Sequence, residues 1–405
     1  MRLNGPHAPH LTYCSNIHPG ETWAEVRENL ERYVVAVRRE IAPERAFGLG
    51  LRLSGVAARE LARPAELERF RALLDRNRLY LFTINGFPYG PFHGQRVKEE
   101  VYLPDWTDEE RLAYTDLLAT LLAELLPEEP GMEGTISTVP GAFAPRIRSG
   151  DDVRRMARQL GRHAAHLHRI RERSGKRLLL TLEPEPCCYL ETVAQTVAFF
   201  REHLFGADAV DAVRQETGLP KEACERLLRE HLGVCFDSCH MAVEYEEPDA
   251  ALRAFAEAGI RVAKLQISAG LRVELSGDTS RDAAVLRELR SFADPVYLHQ
   301  VVERGPHGIR RYLDLPDALR AAEDDPAPRE WRIHFHVPLF REQLGAFRST
   351  QPYVAEVIRL LRNEPCAPHW EVETYTWDVL PDEHRQESVV SAVTREMRWV
   401  LAQIG

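Results

Sequence analysis

The sequence predicts an α/β fold, a closed (β/α)8 barrel, on three observations. Eight short apolar runs alternate with eight helical patterns along 405 residues, as expected of a repeated βα unit. Eight such units match the strand count of a barrel. Most of the runs also carry a polar file on one face, concentrated toward their C-terminal ends, the rim where barrels of this kind place their chemistry.

The predicted strands are 11–18 (LTYCSNIH), 47–54 (FGLGLRLS), 79–85 (LYLFTIN), 133–139 (EGTISTV), 178–185 (LLLTLEPE), 233–239 (GVCFDSC), 261–268 (RVAKLQIS) and 370–377 (WEVETYTW). Helical patterns fall at 22–41, 64–76, 107–126, 151–173, 191–204, 249–258, 279–291 and 350–362. Two more strand-like pieces, 296–303 (VYLHQVVE) and 332–340 (RIHFHVPLF), lie between the seventh and eighth strands. The first leads into Gly-Pro-His-Gly, which reads as a hairpin turn. Residues 1–405 are therefore expected to form one barrel domain, with a helical insertion over 205–231 and a second insertion over 294–345 that covers the barrel mouth.

Bulk properties narrow the function. A hydrophobic fraction of 44% supports a large core. The net charge of −10, with no basic stripe, argues against nucleic acid as a partner. No apolar run approaches the roughly 18 residues of a membrane span, so direct membrane insertion is not expected. The N-terminal MRLNGPHAPHLTYC has no signal-like apolar region. Seven cysteines, several within strand-like runs, read as reduced thiols of a cytoplasmic protein. Basic residues are almost all arginine, which leaves Lys98, Lys176, Lys221 and Lys264 as the only lysines.

The period of two then selects residues. Thr181, Glu183 and Glu185 share a face, as do Cys235, Asp237 and Cys239, then Lys264, Gln266 and Ser268, then Glu371, Glu373, Tyr375 and Trp377. His334 and His336 oppose Phe335, and Cys14, Asn16 and His18 share a face. Helices should cover the outside of a barrel, so these files point to its axis. Burying that many carboxylates and imidazoles without compensation costs several kcal/mol each. A shared cation offsets the cost; a structural ion-pair network with nearby arginines is the alternative. Glu183, Asp237 and Glu373 are hard oxygen donors, Gln266 offers an amide oxygen, and His240 and His336 offer nitrogens. Such a mixed set suits Mn²⁺, Zn²⁺, Co²⁺ or Fe²⁺ better than Ca²⁺.

The series LLLTLEPEP, VCFDSCH, KLQIS and EVETYTW resembles the fifth to eighth strands of xylose-isomerase-like TIM barrels. That resemblance implies a Glu on strand five, Asp-x-x-His on strand six, a His on strand seven and a Glu on strand eight. Glu183, Asp237, His240 and Glu373 match; strand seven offers Gln266 where His is usual, and His336 is the other residue able to fill that place. Over nearly the full chain, TYCSNIHPGETW, FTINGFPYGPFHG, VYLPDW, CFDSCH, IHFHVPLF and VETYTWDVLP resemble the metabolite traffic protein EboE group. This second resemblance implies a bacterial pathway that moves a small precursor metabolite, and it names no reaction.

The superfamily implies that a divalent metal polarises a carbonyl while a carboxylate takes the neighbouring C–H proton. Glu183 and Glu373 are the catalytic pair so implied, with pure metal ligation the alternative for each. His18, Asn85, His93, Lys264, Glu185 and Glu371 are the candidate substrate contacts; packing for His18, an ordinary loop for His93, and a salt bridge of Lys264 with Glu185 or Glu371 are the structural alternatives. Lys98 is a further candidate for an anionic substrate group. The expected function is a metal-dependent sugar or related carbonyl-metabolite isomerase or epimerase. The alternatives are a non-catalytic metabolite-binding protein and a metal-dependent hydrolase or lyase. A small-molecule metabolite is the expected partner, with homo-oligomerisation and pathway partner proteins left open.

Overall fold

The computed structural model describes residues 1–4, 8–93, 96–362, 366–376, 380 and 387–405. Its first seven strands are β1 (His10–Tyr13), β2 (Phe47–Arg52), β3 (Leu79–Asn85), β4 (Glu133–Thr138), β5 (Arg177–Leu182), β6 (Leu232–Asp237) and β7 (Arg261–Ile267). Then come β8 (Ala269–Leu275), β9 (Val301–Gly305), β10 (Gly308–Tyr312), β11 (Arg329–Val337), β12 (Gln343–Leu344), β13 (Phe347–Ser349) and β14 (His369–Val372). β1–β7 and β14 form one parallel sheet in the order β1-β14-β7-β6-β5-β4-β3-β2. Their residues are almost all buried, as parallel strands packed on both faces require.

The sheet closes between its edges β1 and β2 through a parallel bridge of Cys14 to Gly50. Thr12 Oγ1 donates to Gly48 O at 2.7 Å, and Arg52 N donates to Ser15 Oγ at 2.9 Å, so hydroxyls complete the seam where the ladder is thin. Gly50 has to be glycine for steric reasons. A Cβ there would run into Glu371 Oε1 and come within 2.7 Å of Tyr13 O.

Helices follow most of the barrel strands and cover the outside. The longest, Gly150–Ser174, opens with a Ser149/Asp152 capping box and ends at Gly175 with φ 72°. The stretch over 205–231 folds as two helices, Ala207–Thr217 and Lys221–His231. No helix among the described residues is long and apolar enough to cross a membrane.

Several strands end earlier than predicted. The run over 11–18 stops at Tyr13 and turns into a short 3-10 helix, Ser15–Ile17. That over 233–239 stops at Asp237, because the Asp237 side chain accepts the His240 N–H and starts the helix Ser238–Val243. The eighth barrel strand ends at Val372, and Trp377 lies outside the described residues.

The segment between the seventh and eighth barrel strands is larger than expected. β8 follows β7 after the single residue Ser268, and its charged Arg272 and Glu274 hide it from an apolar-run search. In the structure those two charges pair with each other, and Arg272 also pairs with Glu330 on β11. The strands order as β10-β9-β11-β8-β13-β12 in a six-stranded antiparallel sheet. The predicted Gly-Pro-His-Gly turn joins β9 to β10, with Gly308 at φ 93°. Pairing of β11 with β8 breaks between Ile333 and Val337. His334 and His336 sit in that irregular stretch, the kind of bulge that re-aims side chains.

Candidate metal centre

Glu183, Asp237 and Glu373 stand at the C-terminal ends of β5, β6 and β14. Each offers an oxygen within 4.8 Å of the other two. Backbone bonds hold two of them: Glu183 N donates to Thr138 O at 3.1 Å, and Glu373 N donates to Ile267 O at 3.0 Å. Asp237 Oδ1 accepts from His240 N at 2.9 Å and from Ser268 Oγ at 2.7 Å. Glu373 Oε1 accepts from Asn16 Nδ2 at 2.7 Å and from Asn85 Nδ2 at 2.9 Å. Glu183 Oε2 and Asp237 Oδ2 are buried without a hydrogen-bond partner. Burial, then Glu373 and Asp237, pushes the Glu183 carboxyl well above its ordinary range; burial, then Asp237 and Glu371, does the same to Glu373. Three buried carboxylates this close require protons or a cation, and two orphaned oxygens fit a cation.

Imidazoles complete the surroundings. His336 Nδ1 donates to Glu373 O at 2.9 Å, and its Nε2 has no partner. A histidine whose Nδ1–H is tied to a carbonyl presents Nε2 to a metal in a fixed direction. Burial lowers the His336 pKa to about 4, so the ring is neutral and able to ligate. His336 also belongs to a donor set with Asp237 and His240 whose atoms lie within 4.8 Å of one another. Gln266 stands differently from its expected role as an oxygen ligand. Its Oε1 accepts from Cys235 Sγ at 3.1 Å, and its Nε2 is the atom without a partner.

Glu183 and Glu373 open onto a cavity of about 60 Å³, with Asp237 behind them. Asn16, Asn85, Glu183, Glu185, His240, His334 and Glu373 make a polar wall, while Phe87, Phe92, Tyr297, Leu298 and Tyr375 make an apolar one. Glu185 accepts from Tyr102 Oη at 2.9 Å, and burial raises its carboxyl pKa. His93 is not on the wall; its Nε2 donates to Asn16 O at 2.6 Å and its Nδ1 lies 3.1 Å from Tyr297 Oη, which fastens the loop after β3 over the cavity.

Three candidate substrate contacts are placed elsewhere. His18 stacks on Tyr33 with ring centroids 4.4 Å apart and bonds Tyr13 Oη at 2.9 Å. Lys264 and Glu371, both with 0% side-chain exposure, pair with each other at 2.6 Å inside the barrel. Burial pulls the Lys264 ammonium down, and Glu371 together with Cys235 and Cys14 more than offsets it, so the lysine stays charged and its charge is spent internally. Lys98 does line the cavity, but its Nζ is held by Tyr297 O and Asp314 Oδ2, each at 2.6 Å. Tyr102, Tyr297 and Gln300 were not singled out in the sequence. Gln300 and Tyr297 belong to VYLHQVVE, where the His-Gln pair following an aromatic was the available signal.

The fold has relatives among solved structures. A barrel protein from Mycobacterium smegmatis, solved in complex with magnesium, matches with a TM-score of 0.50 at 11% identity, covering 99% of this chain and 98% of that one. The fold is that of a xylose-isomerase-like TIM barrel. An L-ribulose 3-epimerase matches at 0.48 and 11% identity over 98% of this chain and 94% of its own. A probable 3-DHS dehydratase from Bacillus anthracis matches at 0.44 and 13% identity, covering 97% and 98%. No protein-family model and no curated protein matches the chain. In a xylose-isomerase-like barrel the C-terminal strand ends are the place for catalysis, and the buried carboxylates lie there.

Proposed function

We propose that this protein is a divalent-metal-dependent isomerase or epimerase of a small sugar, polyol or related carbonyl metabolite. The observation that carries the reading is the convergence of Glu183, Asp237 and Glu373, with unpartnered buried oxygens on Glu183 and Asp237, beside a small cavity that Glu183 and Glu373 line. Those three, with His336, would hold the ion, of the Mn²⁺, Co²⁺, Zn²⁺ or Fe²⁺ class. When bound, such an ion polarises a carbonyl and acidifies the adjacent C–H.

The chain's own groups do the rest. Glu183 and Glu373 flank the space in which a C–H proton would be moved, and burial together with the neighbouring carboxylates raises the pKa of both. Asn16 and Asn85 orient the Glu373 carboxylate. The apolar wall of Phe92, Tyr297 and Tyr375 beside the carboxylates would limit bulk water and suits a small-molecule ligand. The EboE likeness supports a metabolite-handling pathway as the setting.

The test is metal content and proton exchange. Purified protein should carry close to one or more equivalents of a transition metal, and Asp237→Asn should lower that content while the barrel still folds. Incubation in D2O with a panel of unphosphorylated ketoses should place deuterium next to the carbonyl of one of them. Ligand-dependent thermal stabilisation without exchange would favour the binding-protein reading. Absence of both metal and ligand response would leave a structural ion-pair network and end the proposal.

A further inference from the structure

Residues 294–300 border the cavity, with Tyr297 and Leu298 on its wall, yet they form neither helix nor strand. A segment without a ladder must satisfy its backbone by other means, and here charged side chains do much of it. Asp294 Oδ1 accepts from Val296 N at 2.7 Å and from Tyr297 N at 3.2 Å. Asp314 Oδ1, which caps the helix Leu315–Asp324, accepts from His299 N at 3.0 Å. Lys98 Nζ donates to Asp294 O at 3.2 Å and to Tyr297 O at 2.6 Å. Backbone bonds add Val97 N and Lys98 N to Val296 O, at 2.8 and 3.0 Å, and His334 N to Gln300 O at 2.9 Å. The segment is thus tied to the loop after β3, to a helix of the insertion and to β11.

His299 holds it through both ring nitrogens. Nδ1 is 3.1 Å from His334 O, a carbonyl that can only accept, so Nδ1 carries a hydrogen. Nε2 meets Asp294 Oδ2. Burial pushes the Asp294 carboxyl up, and His299 with the Val296 and Tyr297 amides more than offsets it, which leaves its pKa below the ordinary value. An ionised carboxylate also only accepts, so Nε2 carries a hydrogen as well and the ring is an imidazolium. That ring has 0% side-chain exposure and lies against Phe335, with centroids 4.5 Å apart. Lys98 pairs with Asp314 at 2.6 Å, so two cations and two carboxylates close a neutral cluster. The other titratable groups facing His299 are His334 and His336 on β11; burial lowers the pKa of both rings, and both are uncharged.

We propose that His299 is a proton-operated latch: its second ring hydrogen fixes residues 294–300 as a wall of the cavity, and loss of that hydrogen releases them. Without the hydrogen, a buried Nε2 lone pair faces the Asp294 carboxylate, and the cluster keeps one uncompensated negative charge. The closed segment binds a proton that the released segment gives up, so closure is favoured at low pH and lost as pH rises. Release withdraws Tyr297 and Leu298 from the cavity and Gln300 Nε2 from Pro186 O, 3.2 Å away on the loop after β5. The latch acts on access to the cavity and holds whether or not the carboxylates carry a metal.

Amide exchange of the full-length protein, measured against pH alongside the NMR titration of the His299 ring, is the test. Once corrected for the intrinsic pH dependence of exchange, protection of the Val296, Tyr297 and His299 amides should fall by up to about tenfold per pH unit above the ring's titration. The β5 and β6 amides should hold theirs. Asp294→Asn removes the carboxylate that keeps the proton on the ring, so the titration and the loss of protection should both move to lower pH. His299→Gln should leave the segment weakly protected at every pH. Protection that does not follow the ring, a titration unmoved by Asp294→Asn, or a ring that does not titrate between roughly pH 5.5 and 9 would each overturn the latch. If one variant fails to fold, the wild-type correspondence and the other variant still decide.

Discussion

Metal binding at the carboxylates should be strongly pH-dependent, and the size of the effect follows from the geometry. Oxygens of Glu183, Asp237 and Glu373 lie within 4.8 Å of one another. At an effective dielectric of about 20, two unit charges at that separation repel by about 3.5 kcal/mol. That exceeds the roughly 1.4 kcal/mol of one pKa unit, so the metal-free cluster keeps at least one proton above the ordinary carboxyl value of 4.5, as the raised Glu183 and Glu373 pKa values require. A carboxyl whose pKa is higher in the folded state stabilises the fold most below its unfolded pKa. That contribution is lost as pH rises from 4.5 through the raised folded value. A cation must displace the retained proton, so its apparent affinity should rise up to tenfold per pH unit for each proton released.

Between pH 5.5 and 7.5 one proton corresponds to up to a hundredfold in Kd, or about 2.7 kcal/mol. At about 2.1 cal/mol/K per residue, 405 residues carry an unfolding entropy of about 0.85 kcal/mol/K, so saturating Mn²⁺ should raise Tm more at the higher pH, by at most about 3 °C. Calorimetric titration with Mn²⁺ in buffers of different ionisation enthalpy counts the released protons directly. Glu183→Gln should weaken the pH dependence. A flat affinity over this range with no proton release would refute the reasoning, because the carboxylates would then be ionised and paired with something else.

Three further outcomes are expected. Lys264→Met leaves Glu371 as a buried charge without its partner and should cost about 3–5 kcal/mol in chemical denaturation; Lys264→Met with Glu371→Gln should recover most of that, and a double variant no better than the single would show that the pair is not the source. Gly50→Ala places a Cβ against Glu371 Oε1 at the barrel seam, so it should destabilise by about 1–3 kcal/mol; an unchanged Tm would mean the seam is looser than described. Lys98→Met removes the bonds to Asp294 O, Tyr297 O and Asp314; hydrogen exchange should speed up over 294–300 while the β5 and β6 amides keep their protection, and uniform protection there would show that Lys98 does not anchor the cavity wall.

The amino-acid sequence by itself determined the barrel and the inward files. Strand number and helix alternation are local properties, set by periods of 2 and 3.6 residues that each segment carries alone. The parity of Glu183, Asp237 and Glu373 follows from the same period, and the caps at Ser149 and Asp237 are written in single side chains. Tertiary structure decided the rest, because it depends on residues far apart in the chain. Barrel closure alone brings Glu183 and Glu373 together across 190 residues. Mutual burial, rather than residue type, turned Lys264 and Glu371 toward each other and took them out of the cavity. Arg272 and Glu274 break the apolar run of β8, and Glu330, the distant carboxylate that pairs with Arg272, lies on a strand more than fifty residues later. The facing of His240 and His334 arises where an irregular sheet strand meets a barrel rim, and neither element carries a local signal for it.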